Sequence, residues 1–135
     1  VQTFLPTVQL ARAKGWPDGA KPKPADGLAV EAFATGLDHP RWLYVLPNGD
    51  VLVAETDAPP QPKVESGVMG WLMKMGMKYA GAGVPSANRI TLLRDADGDG
   101  TAESRSVILE GLNSPLGMAL IGDALYVANT DSVMR

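Results

Sequence analysis

Apolar positions along this chain fall into short runs broken by turn residues, and the runs are too short for most of it to be helical. Trp42, Leu43, Tyr44, Val45 and Leu46 are followed by Pro47-Asn48-Gly49-Asp50 and then by Val51, Leu52, Val53 and Ala54. That pattern predicts a β-hairpin, because Asn-Gly supplies the positive-φ residues of a tight turn. With a four-residue turn over 47–50, Trp42 opposes Glu55 and Arg41 opposes Thr56. Residues 28–34, 89–93 and 106–109 are three further strand candidates. One stretch has a different period: Val68, Leu72, Met75 and Tyr79 recur at helical spacing, with Lys74 and Lys78 together on another face, and predict a short amphipathic helix.

The hairpin pattern returns. Gly36 and Pro40 recur 75 positions later as Gly111 and Pro115, and Val53-Ala54-Glu55-Thr56-Asp57 recurs 74 positions later as Val127-Ala128-Asn129-Thr130-Asp131. The one-residue slip falls in the turn. Residues 32–37 align with 107–112, so the unit includes a strand ahead of its hairpin, and one period reads as four short strands plus an insertion. Repeating four-strand units are the signature of β-propeller blades. The expected fold is therefore all-β: a Pro-rich arm over 1–27, then about one and a half blades of a propeller over 28–135, with a Met-rich helical insertion over 58–87. The strand at 28–34 is expected to act as an outermost strand. A propeller needs at least about four blades to close, so the chain is expected to be the N-terminal part of a longer protein whose remaining blades complete the fold.

In an antiparallel meander the connections sort to two ends. The links at 47–50 and 95–101 share one end. Residues 38–41, 113–115 and the long excursion share the other, and long irregular loops on a rigid scaffold are where sites are built. Composition narrows the chemistry only a little. A net charge of −3 provides no basic field for nucleic acid, no apolar run reaches the roughly 20 residues that span a bilayer, and the absence of cysteine excludes thiol chemistry.

The candidate residues follow from that map. His39, the one histidine, stands in a Gly-x-Asp-His-Pro corner either as a turn residue or as a general base. Arg41 suits an anionic ligand or an ion pair with Glu55. Trp42, Glu55, Asn113 and Asn129 share that end of the sheet. Asp95, Asp97 and Asp99 with Gly100 occupy positions 1, 3, 5 and 6 of a calcium-loop pattern, but Ser106 stands where the bidentate Glu belongs. A structural calcium and a metal-free Asx turn are both open there. The helix is first of all one that packs on its own blade, with docking on a membrane or partner and closing over a substrate as the alternatives.

The run from Gly36 to Thr56, followed by Asn88-Arg89-Ile90-Thr91-Leu92-Leu93-Arg94-Asp95-Ala96-Asp97-Gly98-Asp99-Gly100, closely resembles the glucose/sorbosone dehydrogenase family in its sorbosone dehydrogenase branch. The resemblance implies a six-bladed propeller exported to the periplasm or secreted. It implies pyrroloquinoline quinone (PQQ) and calcium as cofactors, a sugar substrate oxidised at C1, and an electron acceptor. Asn113 matches an active-site segment of the glucose dehydrogenase branch, whereas Leu112 stands where that branch has glutamine. The family's catalytic histidine and the calcium ligands serving its quinone belong to later segments, so the resemblance assigns neither His39 nor Asp95, Asp97 and Asp99 to those roles. A lactonase-type hydrolase and a protein-binding propeller are the alternative functions.

Overall fold

The computed structural model describes residues 14–17, 19–57, 67–79 and 85–135. The chain divides into two compact units, one comprising Val1–Ala20 with Gln61–Val84 and the other Lys21–Pro60 with Pro85–Arg135. In the larger unit the strands are β1 (Pro40–Val45), β2 (Val51–Glu55), β3 (Arg89–Arg94), β4 (Ser104–Leu109), β5 (Gly117–Ile121), β6 (Ala124–Ala128) and β7 (Val133–Met134); the smaller unit holds the helix α1 (Val68–Tyr79). The described chain is thus antiparallel β-structure with one short helix, as its hydrophobic pattern predicts.

β1 to β4 form one four-stranded antiparallel sheet in chain order, and β5 to β7 form a second of three. Alternation along each strand gives the first sheet two faces. Leu52, Ala54 and Ile90 point to one, and there they pack with Leu112, Met118 and Val127, with Tyr44, Leu46, Leu92 and Leu125 at the margin. This is the core between the two sheets. The Tyr44 hydroxyl reaches across it to accept the Leu120 N–H at 3.2 Å.

Two expectations are corrected. Residues 28–34 form no strand. The extended chain leading into β1 is held through its carbonyls instead: the Arg105 guanidinium donates to the Thr35 and Gly36 oxygens, and the Ala102 N–H donates to Phe33 O at 2.8 Å. It borders a shallow cleft on the other face of the sheet, where Phe33, Leu37 and Arg41 meet Leu43, Val51 and Leu93. The hairpin register is also one residue from expectation. Val45 pairs with Val51 and Trp42 with Ala54, because the Leu46 N–H donates to Asp50 O at 2.8 Å and Gly49, at φ 91°, donates its N–H to Leu46 O at 2.9 Å, closing the turn over 47–49 rather than 47–50. A bulge between Pro40 and Trp42 then sets Pro40 opposite Glu55. A one-residue slip exchanges the faces, so Trp42 and Glu55 are not opposite one another.

Candidate functional site

The end of the first sheet where β2 finishes and β3 begins gathers most of the buried polar groups. Glu55, the last residue of β2, is opposite Arg89, the first of β3. Its side chain is 0% exposed, and both oxygens are occupied. Arg89 Nε donates to Oε1 at 2.9 Å and Nη2 to Oε2 at 3.0 Å. Thr91 Oγ1 and the Asp38 N–H donate as well. Desolvation pushes the Glu55 carboxyl up, but the Arg89, Thr91 and Asp38 donors together with the guanidinium charge outweigh it and hold its pKa down, at about 2 against an ordinary 4.5. Nη2 of the same guanidinium reaches Asp38 at 3.0 Å.

The predicted Arg41–Glu55 pair is therefore replaced by Arg89–Glu55. Arg41 lies exposed at the β1 bulge, against the cleft. The partner lies outside the β1–β2 hairpin, on β3. The cue was present in the chain, since an antiparallel β2–β3 pair sets the last residue of one strand against the first of the other.

Beside this ion pair, Asn88 ties three segments together. Its Oδ1 accepts from Ser86 Oγ at 2.6 Å and from the Ser114 N–H at 3.2 Å, with Thr56 Oγ1 also at 3.2 Å. Its backbone carbonyl accepts the Leu112 N–H at 3.0 Å. Ser86 Oγ in turn accepts the Asp57 N–H at 2.8 Å. The link between the sheets is thus bonded to the same corner as the end of β2, a role for Asn88 and Ser86 that no motif announced.

Three non-glycine residues here adopt left-handed backbone: His39 at φ 49°, Asn88 at 48° and Ser114 at 46°. His39 directly precedes β1, Asn88 directly precedes β3, and Ser114 lies shortly before β5. Such conformations cost of order 1–3 kcal/mol each and persist where surrounding contacts dictate them. For His39 the contact is its carbonyl, which accepts the Thr56 N–H at 3.1 Å. That makes His39 a corner residue, with its side chain exposed.

The second sheet repeats the corner with different polar groups. Thr130 N–H donates to Asn113 O at 3.0 Å, and Asn129 N–H to Ser132 O at 2.8 Å. The neighbouring Asn113 side chain, and then the Ser132 hydroxyl that donates to Asp131 Oδ1 at 3.1 Å, hold the Asp131 carboxyl below its usual value. Among the described residues, Asn129 Oδ1 is a buried side-chain acceptor with no donor. Trp42, 50% exposed, and Arg41 complete the accessible residues of this end, whereas Glu55 has no free face.

At the opposite end, the carboxylates of Asp95, Asp97, Asp99 and Glu103 bring oxygens within 4.8 Å of one another. Glu103 joins a group of which the sequence pattern identified three members. These oxygens already accept backbone amides: Gly98 and Gly100 donate to Asp95 at 2.7 and 2.9 Å, Asp99 to Asp97 at 3.1 Å, Thr101 to Asp99 at 2.8 Å and Ala96 to Glu103 at 2.7 Å. A hard all-oxygen set suits calcium, and the same bonds close a metal-free Asx turn.

No protein-family model matches this chain, and neither curated proteins nor solved structures include a significant match to it.

Proposed function

We propose that this chain supplies successive blades of a β-propeller belonging to a PQQ-dependent sugar or sorbosone dehydrogenase, which oxidises C1 of an aldose or sugar aldehyde. One observation carries the reading. A four-stranded antiparallel meander is followed by a second sheet that opens with a hairpin of matching sequence, and the two meet through one apolar core. Equivalent residues of the two hairpins, Glu55 and Asn129, stand at the same end of their sheets. The specific chemistry rests on the resemblance of 36–56 and 88–100 to that family.

The accessible groups at that end fit the rim of a site for a polyanionic quinone and a polyhydroxylated substrate. Arg41 offers a guanidinium to a carboxylate, Trp42 an aromatic face, and Asn113 an amide. Asn129 Oδ1 is a buried acceptor that a hydroxyl or N–H from a ligand would complete. When bound, PQQ would supply the hydride acceptor and calcium would polarise the quinone. This chain's residues bind and orient; Arg89–Glu55 and Asn88 hold the loops that present them. The proposal takes a sugar and an electron acceptor as partners and the periplasm or the exterior as location.

The test is an oxidation assay on the full-length protein reconstituted with PQQ and calcium, with aldoses as substrates and a dye as acceptor. Quinone-dependent dye reduction is expected. Its absence across aldoses and sugar aldehydes would overturn the reading, and lactone hydrolysis without quinone would move the protein to a lactonase-type hydrolase.

A further inference from the structure

The helix α1 carries an arrangement that the dehydrogenase reading does not use. Its twelve residues, Val68–Tyr79, include no acidic side chain and two lysines. Val68, Trp71, Leu72, Met75 and Tyr79 are all exposed, Trp71 at 61%. A helix this short is marginal in water by its own propensity, and exposed apolar area of this kind marks an interaction surface.

Its angular layout is more informative than its composition. At 100° per residue, Val68, Leu72, Met75 and Tyr79 fall within about 60° of arc. Trp71 lies beside that stripe, and Lys78 and then Lys74 follow on the same flank. On this flank of the helix the order is apolar stripe, indole, ammonium; Met77, 38% exposed, lies on the opposite side. A helix lying in the plane of a bilayer surface needs that order, with the stripe toward the acyl chains, the indole at the headgroup boundary and the ammonium groups among the phosphates. At 1.5 Å per residue α1 is about 18 Å long, well short of a hydrocarbon core of about 30 Å. Among the described residues no helix is long and apolar enough to cross a membrane.

We propose that α1 docks the protein peripherally on an anionic phospholipid surface. Charge complementarity selects this occupant. The helix is purely cationic within a chain whose net charge is −3, so its two positive charges are concentrated next to the apolar stripe against an acidic background. An anionic headgroup layer attracts both lysines. A second copy of the helix would oppose like charges, and an uncharged protein groove would leave the ammonium groups without partners.

The experiment sediments the whole chain with vesicles of phosphatidylcholine alone and with vesicles of equal parts phosphatidylcholine and phosphatidylglycerol. Binding to the phosphatidylglycerol vesicles, weakened by added salt, is the expected result. Lys74→Gln with Lys78→Gln lowers that affinity about thirtyfold, from about fivefold per lysine near a charged surface. Leu72→Ser with Met75→Ser removes the binding while leaving the β-sheet circular dichroism unchanged. No sedimentation with phosphatidylglycerol vesicles, equal partition onto both vesicle types, or binding indifferent to both pairs of substitutions would overturn the proposal. So would a dimer in light scattering that the Leu72→Ser, Met75→Ser variant dissolves and vesicles do not compete away, since that assigns the surface to a second copy.

Discussion

Glu55 shows how much one buried carboxylate can organise. Fully enclosed, it would be prohibitive as an isolated charge, yet four donor groups from β3 and the chain before β1 converge on it. Glu55→Gln keeps the shape but leaves the partly buried Arg89 guanidinium only the exposed Asp38 as counter-charge, and removing one partner of a buried pair costs about 3 kcal/mol at the low end. Urea unfolding at neutral pH measures this. The pH dependence has a definite sign. The folded-state pKa of Glu55 is depressed to about 2 from 4.5, and that of Asp50, mainly through its Arg94 hydrogen bonds, to about 2 from 3.8. The folded state then binds fewer protons than the unfolded one, so the stability contributed by both groups is fully present above the unfolded values and is lost as pH falls toward 2. The Glu55→Gln variant is expected to lose stability less steeply over that window than the parent, and an equal slope would remove Glu55 from the account.

At the scale of elements, the chain's turns were more legible than its registers. Asn48-Gly49 marked the hairpin, and the β3–β4 loop of aspartates and glycines marked a turn. Position in the ladder was decided by details that periodicity does not encode: the bond from Gly49 N–H to Leu46 O, and the bulge at Arg41. The aspartate loop carries its own prediction. Four carboxylates with oxygens within 4.8 Å repel one another, and a divalent ion would relieve this. Calcium at about a hundred times its Kd is expected to add about 2.7 kcal/mol to the chain's stability, read as a rise in the thermal midpoint, and Asp97→Asn to abolish the gain. A midpoint indifferent to calcium assigns the loop to a metal-free turn.

At the scale of the whole larger unit, one apolar contact joins the two sheets. Ile90, fully buried on β3, meets the same cluster as Met118 and Val127 of the second sheet. Ile90→Ala is expected to cost about 2–5 kcal/mol and to loosen both sheets together, because neither sheet has another buried partner for that face among the described residues. Hydrogen exchange on β2 and β6 checks it: protection lost in β2 alone would mean that the sheets are stable separately. The exposed Val107, Ile108 and Leu109 of β4 mark the outer strand of the first sheet.

What the amino-acid sequence determined by itself was local: alternation that makes strands, Asn-Gly that turns them, the helical spacing of Val68, Leu72, Met75 and Tyr79, and a 75-residue recurrence that returns as two hairpins, β1–β2 and β5–β6. Such signals survive because backbone sterics and hydrophobic period act over a few residues. Tertiary structure alone decided which cation neutralises Glu55, that Asn88 fastens the link between sheets, that Glu103 joins the aspartates, and that residues 28–34 lie outside the sheets. Those outcomes depend on groups brought together from distant positions, where the lowest free energy is set by the desolvation of each polar atom and by which donor the folded backbone carries within reach.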